Sequence, residues 1–234
     1  MLTGVDGATR RIYADAMCGR GNQHYSWAEL HDLYDLSATP ARNLQSNYNL
    51  APTQDADILV PGENGLELRR ARFGLVPFWA KEINPKYSMF NAKAEEIEAK
   101  PAFREPFKQR RCLVPFSGYY EWKGPPKAMQ SYYFHRTDGP IVTLAGVWDR
   151  NSQVGDDEVL SFAIITCAPN QFAARYHNRM PVVLERDEFA IWLEQGGHAL
   201  LDPANDGVLA AYPVSRDVGN VKNNRPDLTA PIEL

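Results

Sequence analysis

The sequence predicts an α+β protein: one compact domain built on a mostly antiparallel, curved or barrel-like sheet, flanked by short helices. Three observations carry that expectation. Seven short apolar or alternating segments read as strands, most of them separated by Gly or Pro. The helical patterns are brief and fall irregularly among the strands instead of alternating with them. The 234 residues, 44% of them hydrophobic, are enough to fill one core, and no internal repeat or long linker divides the chain.

Taken in order, residues 1–16 show no periodicity and read as a flexible extension or an artefact, and the pattern changes at Met17-Cys18-Gly19-Arg20. Ser26 with Glu29 forms a capping box ahead of the apolar stripe Trp27, Leu30, Leu33, Tyr34 and Leu36, which predicts a helix over about 27–36. Residues 47–52 read as a loop. Residues 58–61 and 66–73 flank Gly62-Glu63-Asn64-Gly65 and predict a hairpin. Residues 92–99 are rich in helix formers and stop before Pro101, which predicts a short helix with Asn91 as a plausible cap. Strands follow at 112–114, 119–122, 131–135, 141–148 and 159–167. Asn170 and Asp187 are N-cap candidates for helices near 171–176 and 188–194, the second carrying Phe189, Ile191, Trp192 and Leu193.

Composition excludes several classes. With 25 Lys and Arg against 29 Asp and Glu the net charge is −4, so the molecule is no polycation, and any nucleic-acid contact is local. The apolar run 141–148 is far shorter than the roughly 18 residues of a membrane helix, and the first seventeen residues lack a signal-like apolar stretch. A cytoplasmic protein without a membrane partner is expected. Cys18, Cys112 and Cys167 have no CxxC spacing, which argues against a disulfide framework or zinc ribbon. Cys112 and Cys167 sit in apolar strand patterns and read as buried. His24, His31, His135 and His198 lack ligand spacing, so neither metal nor cofactor is expected.

The charge is segregated. From Arg69 to Lys123 twelve basic residues face six acidic ones, and eleven aromatic side chains share that window. Basic groups hold phosphates while exposed rings stack on unpaired bases, the combination used for single strands. A solvated basic face beside core aromatics has the same composition, so both readings stand at this point. Within the window, Pro77-Phe78-Trp79 is either a rigid aromatic tip that wedges against bases or a buried loop.

Four residues are candidates for chemistry. Cys18 is followed by Gly19, which admits close backbone approach, and by Arg20, whose charge can bind an anion and lower a thiol pKa. Glu121 lies between Tyr120 and Trp122 in a strand pattern, where burial would make it a proton carrier near neutral pH. His177 precedes Asn178-Arg179-Met180-Pro181 and can move protons, with Arg179 close enough in sequence to share a phosphate site. The amide of Asn91 can orient an amine or a thiol as well as cap a helix.

Together the motifs are more specific than any alone: Met17-Cys18-Gly19-Arg20, Tyr48-Asn49-Leu50-Ala51-Pro52-Thr53, Gly74-Leu75-Val76-Pro77-Phe78-Trp79-Ala80, Asn91-Ala92-Lys93-Ala94-Glu95, Arg110-Arg111-Cys112-Leu113-Val114-Pro115, Gly118-Tyr119-Tyr120-Glu121-Trp122, Leu144-Ala145-Gly146-Val147-Trp148-Asp149 and His177-Asn178-Arg179-Met180-Pro181. In this order they resemble the SOS-response-associated peptidase (SRAP) family over nearly the whole chain, from Cys18 to about Pro226. The resemblance implies a domain that binds single-stranded DNA and crosslinks covalently to abasic sites, with Cys18 as nucleophile, Asn91 and Glu121 around its amine, and His177 near the sugar. It implies phosphate contacts from Arg20, Lys93 and Arg179, and places Pro52, Pro77, Phe78, Trp79 and Trp122 on the DNA surface. A monomer acting on single-stranded DNA with abasic sites is expected, with self-processing that exposes Cys18. The family usually has arginine where Lys93 stands and tryptophan where Phe73 stands. Its cysteine directly follows the initiator methionine, whereas sixteen residues precede Met17 here.

Chemistry explains why that position matters. A terminal cysteine carries an amine and a thiol on adjacent carbons, and together they close a thiazolidine on the aldehyde of an open abasic sugar. An internal cysteine has only an unreactive amide nitrogen. Residues 1–17 are therefore expected to be missing from the active form, through a start at Met17 or through attack of Cys18 on the preceding carbonyl. Two other functions fit the residues: a thiol peptidase using Cys18, His177 and Glu121 on foreign proteins, and a non-catalytic module for single-stranded or modified DNA. The first lacks an evident oxyanion motif.

Overall fold

The computed structural model describes residues 19–36, 43–83, 89–126 and 128–234. Cys18 and the residues before it lie outside this set, as does Tyr87 of the aromatic window. The predicted hairpin forms from β3 (Asp55–Gly62) and β4 (Gly65–Phe73), closed by Gly62 opposite Gly65. Strand β3 also pairs with β6 (Arg111–Phe116), and β6 pairs with β9 (Val142–Asn151). Strand β9 continues onto β10 (Val159–Cys167), and β10 pairs in parallel with β4. The five strands thereby close on themselves as a barrel. Its interior is led by Phe73, which stacks on Phe162 at 5.1 Å and meets Phe90 and Phe116 edge-on. Two short strands extend the barrel along β10: β5 (Asn91–Lys93) in parallel and β11 (Met180–Pro181) antiparallel.

A second sheet runs in the order β12 (Leu209–Val214), β8 (Gln130–Arg136), β7 (Gly118–Lys123), β1 (Gly21–Gln23), β2 (Asn47–Leu50). One face of it packs toward the barrel. The other carries a smaller core of Tyr120, Tyr133, Val214, Val218 and Leu228. Gly118 begins β7 where a side chain has no room, since a Cβ there would lie 2.4 Å from the Phe134 carbonyl oxygen.

Among the described residues three α-helices complete the architecture. Helix α1 (Trp27–Tyr34) starts with the capping box of Ser26 and Glu29 and ends at Asp35, in the left-handed region at φ 51°. Helices α2 (Pro101–Gln109) and α3 (Glu188–Glu194) both end on Arg111. All five N–H groups of this buried guanidinium are used: Nη1 on the carbonyls of Phe107 and Lys108, Nε on Trp192, and Nη2 on Leu193 and Glu194. One cation thus satisfies carbonyls at two helix C-termini, where positive charge is favoured.

The differences from the sequence-based expectation have a common cause. Residues 92–99 do not form one helix. Asn91–Lys93 is strand β5, because it lies along Ile164 to Thr166 and takes its hydrogen bonds from β10, and only Ala94–Glu96 makes a single 3-10 turn. Asn91 is therefore a strand residue and caps no helix. Pro101 starts α2 instead of ending a helix, because the first helical position needs no N–H. Residues 47–50, expected as loop, are strand β2, and β12 was absent from the expectation. Both are edge strands whose ladder partners, not their own pattern, make them strands. The region near 171–176 forms only the 3-10 turn Ala173–Arg175, with Asn170 Oδ1 accepting from the Ala173 N–H at 2.8 Å. Asp187 sits at the start of α3 without a side-chain capping bond.

Candidate functional site

The site is built where β1 enters the second sheet. The Tyr120 N–H donates to the Arg20 carbonyl at 2.9 Å and Gly21 lies opposite Tyr119, so Gly19 comes level with Glu121. Cys18 is bonded to Gly19, which is buried. Successive side chains of a strand point to opposite faces, so Tyr119 and Glu121 share one face of β7 while Tyr120 and Trp122 take the other. Glu121 is 5% exposed and stands opposite Tyr132 of β8.

Aromatic packing brings His177 to that same face. Tyr176, its neighbour, meets Tyr132 at 4.9 Å and Phe134 at 5.0 Å, and Phe134 stacks on Tyr119 at 4.9 Å. His177 Nδ1 accepts the Arg179 backbone N–H at 3.2 Å. A donor aimed at Nδ1 leaves the ring proton of the neutral form on Nε2. Burial pushes the His177 pKa below its ordinary value, and the Arg179 charge acts in the same direction.

The opposite wall is the β5–β10–β11 ladder. Thr166 of β10 lies between Lys93 of β5 and Pro181 of β11. Arg179 crosses these strands, donating Nη1 and Nη2 to the two carboxylate oxygens of Glu95 at 2.9 Å each, Nη2 to the Thr166 carbonyl at 2.6 Å, and Nε to Thr166 Oγ1 at 3.3 Å. The Arg179 hydrogen bonds hold the Glu95 carboxyl below the usual carboxylate range. Lys93 is exposed, with Glu96 3.9 Å away. Asn91 is half-buried opposite Ile164, two residues along the strand from Lys93.

The remaining candidates divide. Phe78 and Trp79 project into solvent, 50% and 48% exposed, which resolves the two readings of that loop in favour of an exposed aromatic tip. Pro77 and Pro52 are buried, so they shape the surface through the turns they fix. Gln54 N–H donates to the Ala51 carbonyl across Pro52-Thr53, and Thr53 sits at φ 78°, a strained position for a β-branched residue. Arg20 points away from Glu121. Its Nη1 donates to Asn49 Oδ1 at 2.9 Å and the Val218 carbonyl at 2.7 Å, and its guanidinium lies 5.7 Å from the half-buried Trp122 ring. Cys112 and Cys167 are buried, and burial pushes both thiols up.

Sequence reasoning gave no role to Glu95 or Thr166, the two partners of Arg179. Glu95 closes the Asn91–Glu95 motif, a signal that was present. Thr166 is an ordinary strand residue and offers none. The concavity of about 430 Å³ between α1 and residues 138–141 contains none of the candidates, which lie instead along the rim marked by β7 and β8 on one side and β5, β10 and β11 on the other. Among the described residues no cluster of His, Cys, Asp or Glu is arranged to hold a metal ion, and no helix is long and apolar enough to cross a membrane.

Comparison with known proteins follows the same boundaries. The family model for the SOS response associated peptidase (SRAP) matches residues 17–221. "Abasic site processing protein YoaM" of Bacillus subtilis is 33% identical over 220 residues, covering 91% of this chain and 97% of the relative. "Abasic site processing protein YedK" of Escherichia coli is 29% identical over 79% of this chain and 84% of its own. A crystal structure of a Bacteroides thetaiotaomicron protein superposes with a TM-score of 0.77 at 24% identity, covering 92% of this chain and 100% of that one, which supports the fold.

Proposed function

Since the chain belongs to the SOS response associated peptidase family, we propose that it processes abasic sites in DNA, holding a single strand across the rim and joining Cys18 to the opened sugar as a thiazolidine. The names of the relatives, abasic site processing proteins, support the substrate. One observation carries the residue assignment: the β1–β7 register brings Gly19, and with it the attachment point of Cys18, level with a buried glutamate on the face where His177 is seated.

The chemistry divides among these groups. Opening the cyclic sugar moves one proton from the C1 hydroxyl to the ring oxygen: the Glu121 carboxylate takes it from the hydroxyl and passes it to the ring oxygen, while the Nε2–H of neutral His177 donates a hydrogen bond to that oxygen as its bond to C1 breaks. The Cys18 amine, whose ordinary pKa of about 7.7–8.0 leaves a neutral fraction at pH 7, adds to the aldehyde. One water leaves to give the imine. The thiol sulfur then adds to the imine carbon, and the thiol proton ends on the ring nitrogen. Asn91 orients the amine. Lys93 and Arg179 meet phosphates, Arg179 with the one Nη1 N–H not given to Glu95 or Thr166. Phe78 and Trp79 stack on bases beside Trp122, while Arg20, committed to Asn49 and Val218, supports the Trp122 side of the sheet.

The scheme requires a free amine on Cys18, so residues 1–17 are removed or never made in the active form. The test compares the full chain with one beginning at Met17, scoring intact mass and denaturation-resistant adducts with single-stranded DNA containing one abasic site. Adduct is expected only where the mass shows Cys18 first, and Cys18→Ala abolishes it. Undiminished adduct in Cys18→Ala, or equal rates with 1–17 retained, overturns the mechanism.

A further inference from the structure

The exposed aromatic pair caps a turn whose backbone is fastened to strand β9. Chain reversal begins at Gly74, φ 124°, directly after β4. The turn itself is closed by the Ala80 N–H donating to the Pro77 carbonyl at 2.9 Å, which leaves Phe78 and Trp79 as its two central residues.

Four contacts from β9 and its extension then hold this backbone. Asn151, fully buried, donates its amide to the carbonyls of Pro77 at 2.6 Å and Ala80 at 2.8 Å. Its own oxygen is fixed by the backbone N–H groups of Gln153 and Val154. Asp149, 1% exposed, accepts the Phe78 N–H on Oδ2 at 3.0 Å, and its Oδ1 lies 3.1 Å from Nε of Arg110. Gln153 Nε2 donates to the Phe78 carbonyl at 3.0 Å. Strand β10 adds the Ser161 hydroxyl, which accepts from Val76 N–H at 2.8 Å. Asp149 and Ser161 are cross-strand partners, so the turn lies across the β9–β10 ladder and is held on both strands.

Buried side chains spent on a surface turn call for a reason. Apolar rings left on a loop with free backbone fold back against the nearest apolar surface, which hides the faces needed for stacking. Ordering a backbone residue opposes binding by about as much as stacking one base favours it. A tip that had to order several residues on contact would gain nothing from its rings, whereas a tip ordered beforehand keeps the full benefit.

We propose that Asp149 and Asn151, with Arg110 behind Asp149, are positioning residues that hold the turn 77–80 open, so that Phe78 and Trp79 present pre-formed stacking faces to the unpaired bases of a single strand. This rests on the reading of the protein as a single-strand binder. Neither residue touches the bound strand. Asp149 ends one of the sequence motifs, and Arg110 begins another; the clamp gives both a role in the site.

The test uses the isosteric change Asn151→Asp, which keeps the acceptor for Gln153 and Val154 but sets oxygens against the Pro77 and Ala80 carbonyls. Asp149→Asn is the milder second variant. Affinity for a fluorescein-labelled oligothymidylate is measured in the wild-type background and in the Phe78→Ala/Trp79→Ala background. Asn151→Asp is expected to weaken binding about tenfold in the first and less than about twofold in the second, because it acts through the rings. Independently of DNA, 19F NMR of 5-fluorotryptophan-labelled protein, with Trp79 assigned by Trp79→Phe, is expected to show a narrowed, shifted Trp79 line in both clamp variants while the other tryptophan lines stay put. Equal weakening in both backgrounds, or an unmoved Trp79 line, overturns the clamp. Failure of the underlying reading looks different: the wild-type protein itself then fails to bind the oligonucleotide, whereas failure of the clamp leaves wild-type binding intact and insensitive to Asn151→Asp.

Discussion

Arg111 and Arg179 place the same functional group in two regions with opposite logic. At the meeting of α2 and α3, Arg111 gives every N–H to a main-chain carbonyl and lies under the Trp192 ring. Nothing remains for a ligand, and the charge serves the fold. On the rim, Arg179 leans on an exposed carboxylate and keeps one donor, on the ladder where exposed Lys93 pairs with Thr166. The difference teaches that a basic window in the sequence is not by itself a binding surface. Where the carbonyls of two helix ends converge, the same charge is consumed internally.

The largest effect that would break this contrast is at the hub. Arg111→Met removes the partner of five carbonyls, at least two of them in fully buried surroundings. It should destabilise by about 3–4 kcal/mol, a loss of roughly 6–16 °C in melting temperature for a chain of this size. Calorimetry checks it. A melting temperature within a degree or two of wild type would show that water replaces the guanidinium, and that the hub is not the structural counterpart of the rim.

On the rim the expected pattern is the reverse. Lys93→Ala should change stability by less than about 0.5 kcal/mol yet weaken DNA binding several-fold, and reduce the salt dependence by about one unit of slope. Fluorescence anisotropy titrated against salt separates this from a general loss. An unchanged slope would take Lys93 off the phosphate path.

A third prediction sharpens the role of burial. His177 and His24 both have pKa values lowered below 6.5 by burial. Between that ordinary value and the lowered one, the unfolded chain binds protons that the native chain refuses, so stability is full above about pH 6.5 and declines as pH falls through that window. His177→Gln should flatten part of the decline, read from urea midpoints at about pH 7.5 and pH 5.5. An identical pH slope in the variant would show that His177 is more solvated than its surroundings indicate.

The smallest effect concerns Glu95. Its pair with Arg179 is half-exposed, so Glu95→Gln should alter stability by at most about 1 kcal/mol. Removing the competing carboxylate should return donors to Arg179 and raise affinity for single-stranded DNA about two- to threefold at low salt, an effect that fades as salt is added. Weaker binding instead would mean that Glu95 holds Arg179 in its useful position and does not compete with phosphate.

How much of this was legible beforehand varies by element. The hairpin β3–β4 and helix α1 were readable because their signals are local: a glycine-bounded turn between strand patterns, and a capping box followed by an apolar stripe. Asn91–Lys93 was misread as the start of a helix because propensity describes an isolated segment, and the hydrogen bonds that make it a strand come from Ile164 to Thr166, more than seventy residues away. Strands β2 and β12 were missed for the same reason. Arg20 stands next to Gly19 in the chain, yet strand alternation sends its side chain across the sheet to Asn49 and Val218.

The sequence by itself determined the fold class, the family and the identities of the candidate residues, because composition, capping, turn chemistry and ordered motifs are written in neighbouring residues. Only the tertiary structure decided that Arg111 is spent inside the fold, that Glu95 and Thr166 hold Arg179, and that Asp149 and Asn151 hold the aromatic tip. Each of those facts needs at least one meeting of residues separated by 13 to 84 positions. Hydrogen-bond satisfaction is settled at the point of contact, and no local pattern announces which carbonyl a buried donor will find.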